Sequence, residues 1–208
     1  MARRVKEEPT VHKNRIADHA EELFKQGNIG GTTMDDIASA AGYSKATLYV
    51  YFKNKEEIIS FLALRSMTKL RDVIFMALGK KENCKEAFFE LCFALVEFQR
   101  EYPTFFERSI NYISTDFETE DIGYNQQAYI VGEEINKLIA DFINKGINKG
   151  ELKKCDKHFA TTFQMWGMIS GLIKLACEKE QYILQAGGLT KQEFLEDGFE
   201  KVYAAIAI

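Results

Sequence analysis

Residues 33–56 decide the fold of this chain, and they read TMDDIASAAGYSKATLYVYFKNKE. Thr33, followed three residues later by Asp36, approaches the capping box that begins a helix. Gly42 ends that helix, since glycine adopts a positive φ at little cost. Ser44 can then cap a second short helix. The stretch therefore predicts a helix-turn-helix, whose second helix can enter the major groove of DNA.

The second helix has an inward and an outward face. Leu48 and Phe52, four residues apart, form the inward face. At about 100° per residue, the outward face carries Lys45, Ala46, Thr47, Tyr49 and Val50. An outward Val50 fits apolar contact with a thymine methyl, and Lys45 can donate to guanine or to phosphate. The alternative for each of these residues is a solvated helix surface.

The composition indicates an all-α protein without a membrane span. The 208 residues include only two prolines, and no β-branched alternating run of strand length stands out. No apolar run approaches the roughly 18 residues that cross a bilayer. The N-terminus, MARRVKEE, lacks the apolar core of a signal peptide, so we expect a cytoplasmic protein.

The charge is distributed unevenly along the chain. The formal net charge is −4, yet residues 1–70 hold 11 Lys/Arg against 9 Asp/Glu, and residues 71–208 hold 16 against 22. A mildly basic head on an acidic body permits DNA binding by the head alone. The bias is small, so it permits this function without deciding it.

The titratable residues favour neither an enzyme nor a metalloprotein. The four cysteines show no CxxC pair and no histidine at metal-ligand spacing, and the three histidines are scattered. No nucleophile, base and carboxylate fall at catalytic spacing. We therefore predict no cofactor, no metal and no enzymatic activity. Burial is the expected state of the thiols, with a redox sensor as the alternative.

The whole chain predicts about nine helices in two domains, residues 1–54 and residues 55–208. Apolar residues at helical spacing place helices at residues 10–26, 55–78, 84–101, 104–114, 124–145 or beyond, 156–182 and 191–206, besides the two of the helix-turn-helix. Residues 146–154, with two glycines and several lysines, are predicted to be a loop.

A glycine strip near the C-terminus predicts a dimer face. Gly167 and Gly171 lie four residues apart beside Trp166, and small residues at this spacing let another backbone approach. The last two helices are too apolar for a monomer surface. The predicted self-complementary face comprises Phe159, Phe163, Gly167, Gly171, Phe194, Phe199 and Tyr203. An ordinary intramolecular core is the alternative.

Residues 10–65 resemble the TetR family of bacterial transcriptional regulators. The motifs that carry the resemblance are AEELF at residues 20–24, TTMDDIA at 32–38, AGYSKATLYVYF at 41–52 and KNKEE at 53–57. The resemblance implies a three-helix DNA-binding domain with a helix-turn-helix, followed by a helical domain for ligand binding and dimerisation. It further implies a homodimer on a palindromic double-stranded operator.

The resemblance also implies roles for individual residues. The DNA-facing set is Thr33, Ser44, Lys45, Ala46, Thr47, Tyr49, Val50, Tyr51 and Lys55. Within it, phosphates would be held by Thr33, Tyr49, Tyr51 and Lys55. A pocket among the middle helices would be lined by Phe88, Cys92, Phe105, Phe106, Tyr112, Tyr129 and Trp166. Such a lining suits an apolar or aromatic ligand, and plain core packing is the alternative for each residue.

Together these features predict a ligand-responsive DNA-binding regulator, most simply a repressor that a small effector releases from its operator. The residues do not separate a repressor from an activator. The alternative function is a helical protein that binds small molecules or lipids and has lost DNA binding.

Overall fold

The computed structural model describes residues 8–26, 29–111 and 123–208, and within these ranges the chain is all-α as predicted. The described residues form ten helices: α1 Pro9–Gln26, α2 Met34–Ala40, α3 Lys45–Tyr51, α4 Lys55–Gly79, α5 Cys84–Glu101, α6 Pro103–Asn111, α7 Tyr124–Lys149, α8 His158–Glu178, α9 Glu180–Gly187 and α10 Lys191–Ile206. Extended pairing in the described ranges is limited to one isolated bridge between Leu152 and Ala207.

Side-chain caps determine where several helices begin. Each capping side chain accepts a hydrogen bond from the backbone N–H three residues later, and these residues are Thr33, Ser44, Asn54, Asn83 and Thr190. Gly42, with φ 74°, follows the last turn of α2 and turns the chain towards α3. The predicted caps at both ends of this turn are confirmed.

The chain divides into two compact units. Among the described residues, the first unit holds residues 8–65 and 123–128, and the second holds residues 66–111 and 129–208. Helices α4 and α7 each contribute residues to both units.

The core of the first unit packs α1, α2 and α3 against one another. Its centre is formed by fully buried Ile16 of α1, Ile37 of α2 and Leu48 of α3. Arg65 ties α4 to α1 by ion pairs. Its guanidinium lies 2.6 Å from the Asp18 carboxylate and also donates to the carboxylate of Glu21.

In the second unit α5 lies centrally, as its apolar circumference predicts. Phe88 and Cys92 of α5 are fully buried, and the Phe88 ring lies 5.3 Å from that of Tyr203 in α10. Helices α8 and α10 approach closely where Gly198 faces Leu172: a Cβ at Gly198 would lie 2.9 Å from the Leu172 methyl carbons. The intramolecular close approach therefore uses Gly198, and not the Gly167–Gly171 strip.

The predicted loop start at Gly146 and the predicted continuous helix over residues 156–182 are wrong. Helix α7 continues through Gly146 to Lys149, and the loop begins only at Gly150, which has φ 72°. The helix predicted over residues 156–182 is interrupted at Lys179, with φ −119° and ψ 20°, so α8 and α9 are separate helices. No glycine or proline marks that break in the sequence.

Two residues of the predicted dimer face are also corrected by the fold. Phe199 is fully buried, with its ring 5.9 Å from that of Phe93, and Tyr203 is buried against Phe88. Both side chains are used by the core of their own protomer, so neither is available to a second copy.

Gly146→Ala is expected to destabilise the protein. A Cβ at Gly146 would overlap Cγ and Cδ1 of Leu152 and lie 3.0 Å from Sγ of Cys84, so the loss should be about 1–3 kcal/mol. Gly132→Ala in the same helix is the matched control, since its Cβ would meet only Met67 Cε at 3.6 Å. That control should gain up to about 1 kcal/mol from helix propensity. Urea unfolding followed by circular dichroism measures both, and equal stabilities would contradict the close packing at Gly146.

Candidate nucleic-acid interface

The candidate interface begins with the capped start of α2. The Thr33 N–H donates to Oδ2 of Asp36 at 2.9 Å, and the Asp36 N–H donates back to Oγ1 of Thr33 at 3.2 Å. The hydrogen bonds from the Thr33 side chain and backbone lower the pKa of the Asp36 carboxyl. This carboxylate is thereby committed to the helix start, and the Thr33 hydroxyl is part of the cap.

The orientation of α3 agrees with the helical wheel. Leu48 and Phe52 are buried, whereas Val50 is 77% exposed and Tyr49 is 46% exposed. Ser44 caps the helix through a 3.1 Å bond from the Thr47 N–H. Ala46 is exposed beside Val50, so α3 presents an apolar and aromatic surface that its own unit leaves open.

Lys45 has an ion-pair partner that sequence reasoning missed. Its Nζ lies 2.9 Å from Oδ2 of Asp35, which joins the first turn of α3 to the first turn of α2. The hydrogen bond and charge of Asp35 raise the pKa of Lys45. The sequence shows Asp35 at the start of α2, ten positions before Lys45. The two side chains meet only because the turn at Gly42 brings the starts of α2 and α3 together.

Lys55 differs from its predicted role. Its ammonium donates to the backbone carbonyls of Ile29 at 2.7 Å and Thr32 at 3.0 Å, with a longer contact to Gly30. These hydrogen bonds fix the Lys55 side chain and the backbone that precedes α2 relative to each other. In this structure Lys55 positions the segment that leads to Thr33, and contact with phosphate would require it to exchange these partners.

Tyr51, the remaining predicted phosphate ligand, lies in an aromatic cluster. The His12 ring stacks on the Tyr51 ring with centroids 5.0 Å apart. Nδ1 of His12 lies 2.7 Å from the Tyr43 hydroxyl, which also accepts from Arg15 at 3.0 Å. His12 thus joins α1 to both tyrosines.

The predicted pocket residues are only partly brought together. Phe88, Cys92, Phe105 and Phe106 are buried in the second unit, and desolvation raises the pKa of the Cys92 thiol. Trp166 lies near Phe106, with ring centroids 6.2 Å apart. Tyr129 is about half exposed, and Tyr112 lies outside the described residues.

The second unit contains a cavity of about 200 Å³ whose lining includes none of the seven predicted residues. The lining comprises Phe75, Leu78, Gly79, Lys81, Glu82, Cys84, Ala87, Leu138, Asp141, Phe142 and Lys145. Its wall is mainly apolar and its charged residues are exposed. Sequence reasoning missed this site because its residues come from three helices, α4, α5 and α7, and from the loop between α4 and α5.

The exposed face of α8 retains part of the predicted dimer surface. Phe159 and Phe163 are exposed and contact each other, with ring centroids 4.5 Å apart. A Cβ at Gly167 or Gly171 would meet no atom within 4 Å, so this strip is open. Phe194 of α10 is half-buried.

The described residues contain no cluster of three or more His, Cys, Asp or Glu with the geometry of a metal site. The four cysteines are free thiols. None of the described helices combines the length and apolarity that crossing a membrane requires.

Comparison with known proteins identifies relatives of this chain. The family model for bacterial regulatory proteins, tetR family, matches residues 16–60. The uncharacterized HTH-type transcriptional regulator YhgD of Bacillus subtilis is 26% identical over 161 residues, which cover 77% of this chain and 82% of YhgD. IcaR of Staphylococcus aureus, the HTH-type negative transcriptional regulator of the biofilm operon icaADBC, is 27% identical over 148 residues, or 71% of this chain and 75% of IcaR.

A solved structure shares the fold over nearly the whole chain. The TetR family transcriptional regulator PfmR from Thermus thermophilus has a TM-score of 0.67 at 21% identity, covering 91% of this chain and 97% of PfmR. The all-α architecture, the capped helix-turn-helix with its outward α3 face, and the family match over the same residues lead to one conclusion. Residues 16–60 match the DNA-binding domain of the tetR family, and most of the chain is similar to HTH-type transcriptional regulators.

Proposed function

We propose that this protein is a ligand-responsive repressor that binds double-stranded operator DNA as a homodimer. The observation that carries the proposal is the outward face of α3, where Val50 and Tyr49 are exposed while Leu48 is fully buried. A solvated helix gains nothing from an exposed valine, but a thymine methyl offers it an apolar contact. Such a regulator works in the bacterial cytoplasm, where the chromosome is.

Repression is favoured over activation by one relative. IcaR is a negative transcriptional regulator, and its match spans 71% of this chain. In the proposed complex, Lys45 donates to guanine or phosphate, and Tyr49 and Thr33 contact phosphates of the DNA backbone. Ser44, Ala46, Thr47, Val50 and Tyr51 complete the proposed surface. Lys55 acts mainly by holding the backbone before α2.

The proposed dimer pairs the exposed faces of α8 from two copies. Phe159 and Phe163 expose apolar surface there, and Gly167 and Gly171 leave room for a second backbone. Helix α9 buries none of its residues within the protomer, which extends the apolar surface available to a partner. A symmetric dimer matches a palindromic operator, whose two half-sites lie one helical turn of DNA apart, about 34–36 Å.

The proposed effector site is the cavity of the second unit, in place of the predicted aromatic pocket. Its volume of about 200 Å³ and apolar wall suit a small apolar or single-ring molecule with one polar end. The walls come from α4, α5 and α7, and α4 and α7 also contribute residues to the DNA-binding unit. The effector releases DNA to the extent that it binds the non-operator conformation more tightly.

Lys45→Ala and Tyr49→Ala should each weaken operator binding about 10- to 100-fold, since each removes a direct DNA contact worth about 1–3 kcal/mol. Fluorescence anisotropy with a duplex from upstream of the protein's own gene measures the affinity. Lys85→Ala is the matched control, because Lys85 forms an exposed pair with Glu200 at the same 2.9 Å. The proposal would be contradicted if the Lys45→Ala and Tyr49→Ala variants both bound the operator duplex as tightly as the unaltered protein. It would also be contradicted if the unaltered protein bound no duplex at low salt.

Gly167→Leu should convert the dimer to a monomer, because the added side chain fills the space left for a second backbone. A Cβ there meets no atom of its own protomer, so the variant should fold normally. Gly79→Leu, also without a neighbour within 4 Å of its Cβ, is the control. Sedimentation equilibrium gives the mass, and a Gly167→Leu dimer as stable as the control's would exclude this face.

Leu138→Trp should abolish effector binding by filling the cavity from its half-exposed wall. Sodium benzoate and sodium octanoate serve as probes, and at 100 times its Kd a bound ligand adds about 2.7 kcal/mol to native-state stability. Ile130→Trp places the same side chain on an exposed site of α7 outside the cavity. A probe that raises the Tm of both variants equally binds elsewhere, and no shift in the unaltered protein excludes these two ligand classes.

A further inference from the structure

An exposed carboxylate lies on the surface that is proposed to meet DNA. Asp35 is 61% exposed and pairs with Lys45, which is 58% exposed, at 2.9 Å. DNA carries a phosphate charge about every 1.7 Å of helix axis, so a carboxylate at such a surface opposes binding driven by phosphates alone. Its presence beside the one lysine of α3 therefore calls for a physical role.

The neighbouring carboxylate shows that Asp35 is not needed to cap α2. Asp36 accepts both the N–H and the hydroxyl of Thr33, which completes the capping box. Asp35 instead extends towards α3, where it accepts from the Lys45 ammonium. The two adjacent aspartates thus have different partners. Asp36 bonds within the first turn of α2, whereas Asp35 bonds across from α2 to α3.

The pair presents a donor and an acceptor side by side. An ammonium only donates hydrogen bonds and an ionised carboxylate only accepts them. Phosphate oxygens satisfy the first group and repel the second. Base edges in the major groove can satisfy both, because cytosine N4 and adenine N6 donate while guanine O6 and N7 and thymine O4 accept. Exposed ion pairs are weak, so DNA can displace or share this one.

We propose that Asp35 is a specificity-determining residue of the DNA site: it occupies Lys45 against phosphates and accepts from an amino group of cytosine or adenine in the operator. The inference rests on the proposed DNA-binding function. It predicts that Asp35 lowers affinity for arbitrary DNA and preserves or raises affinity for the operator. The ratio of the two affinities is therefore the quantity that Asp35 controls.

The test compares Asp35→Asn with the unaltered protein on two duplexes. One duplex is selected from a random pool by the unaltered protein, and the other is a shuffled sequence of the same composition. Affinities are measured by fluorescence anisotropy at several salt concentrations. Glu200→Gln is the matched control, since Glu200 is 53% exposed, pairs with Lys85 at 2.9 Å and undergoes the same change in charge.

Asp35→Asn should bind the shuffled duplex about 3- to 10-fold more tightly, with a log–log salt slope steeper by about one, because Lys45 is freed for one more phosphate. Affinity for the selected duplex should stay the same or fall, so the specificity ratio falls at least threefold. Glu200→Gln should leave both affinities and the slope unchanged.

Three outcomes overturn the inference. If Asp35→Asn raises both affinities equally, Asp35 is a general repulsive charge without specificity. If neither affinity changes, Asp35 does not meet DNA, while binding by the unaltered protein still supports the proposed function. If the unaltered protein selects no duplex and binds none at low salt, the proposed function fails and this inference fails with it.

Discussion

The burial of Leu48 and Phe52 is the interaction on which the DNA-facing surface depends. Helix α3 has only seven residues, too few to be stable in isolation, so tertiary packing has to hold it. Each large apolar side chain contributes about 1.5–3 kcal/mol when fully buried. Because α3 packs on α1 and α2 through this face, the packing alone directs its opposite face outward.

Local caps and the turn at Gly42 complete that constraint. Thr33 and Ser44 each satisfy backbone N–H groups that would otherwise lack partners at the helix starts. Gly42 supplies the left-handed conformation that lets α3 double back against α2. Once the two helices are held, Asp35 and Lys45 meet, so an electrostatic feature of the candidate interface is a consequence of apolar packing and one turn.

Side chains that look alike in sequence have different roles in the fold. Lys45 and Lys55 lie only ten residues apart in the chain, yet Lys45 pairs with the exposed carboxylate of Asp35 and Lys55 donates to backbone carbonyls. In the second unit, Phe163 and Phe199 both belong to apolar helix faces, yet one is exposed and the other is fully buried. Helical periodicity identifies an apolar face, but it does not identify the element that covers it.

The sequence by itself determined the all-α class, the caps of the helix-turn-helix and the outward direction of Val50, because these depend on spacing within one or two turns of chain. Only the tertiary structure decided the partners of Lys45 and Lys55, the break at Lys179 and the burial of Phe199 and Tyr203. It also formed the cavity from residues of α4, α5, α7 and the loop between α4 and α5, and the lining includes none of the seven residues that the family resemblance implied. These features join residues far apart in the chain, and no local pattern records which distant groups will meet when the helices pack.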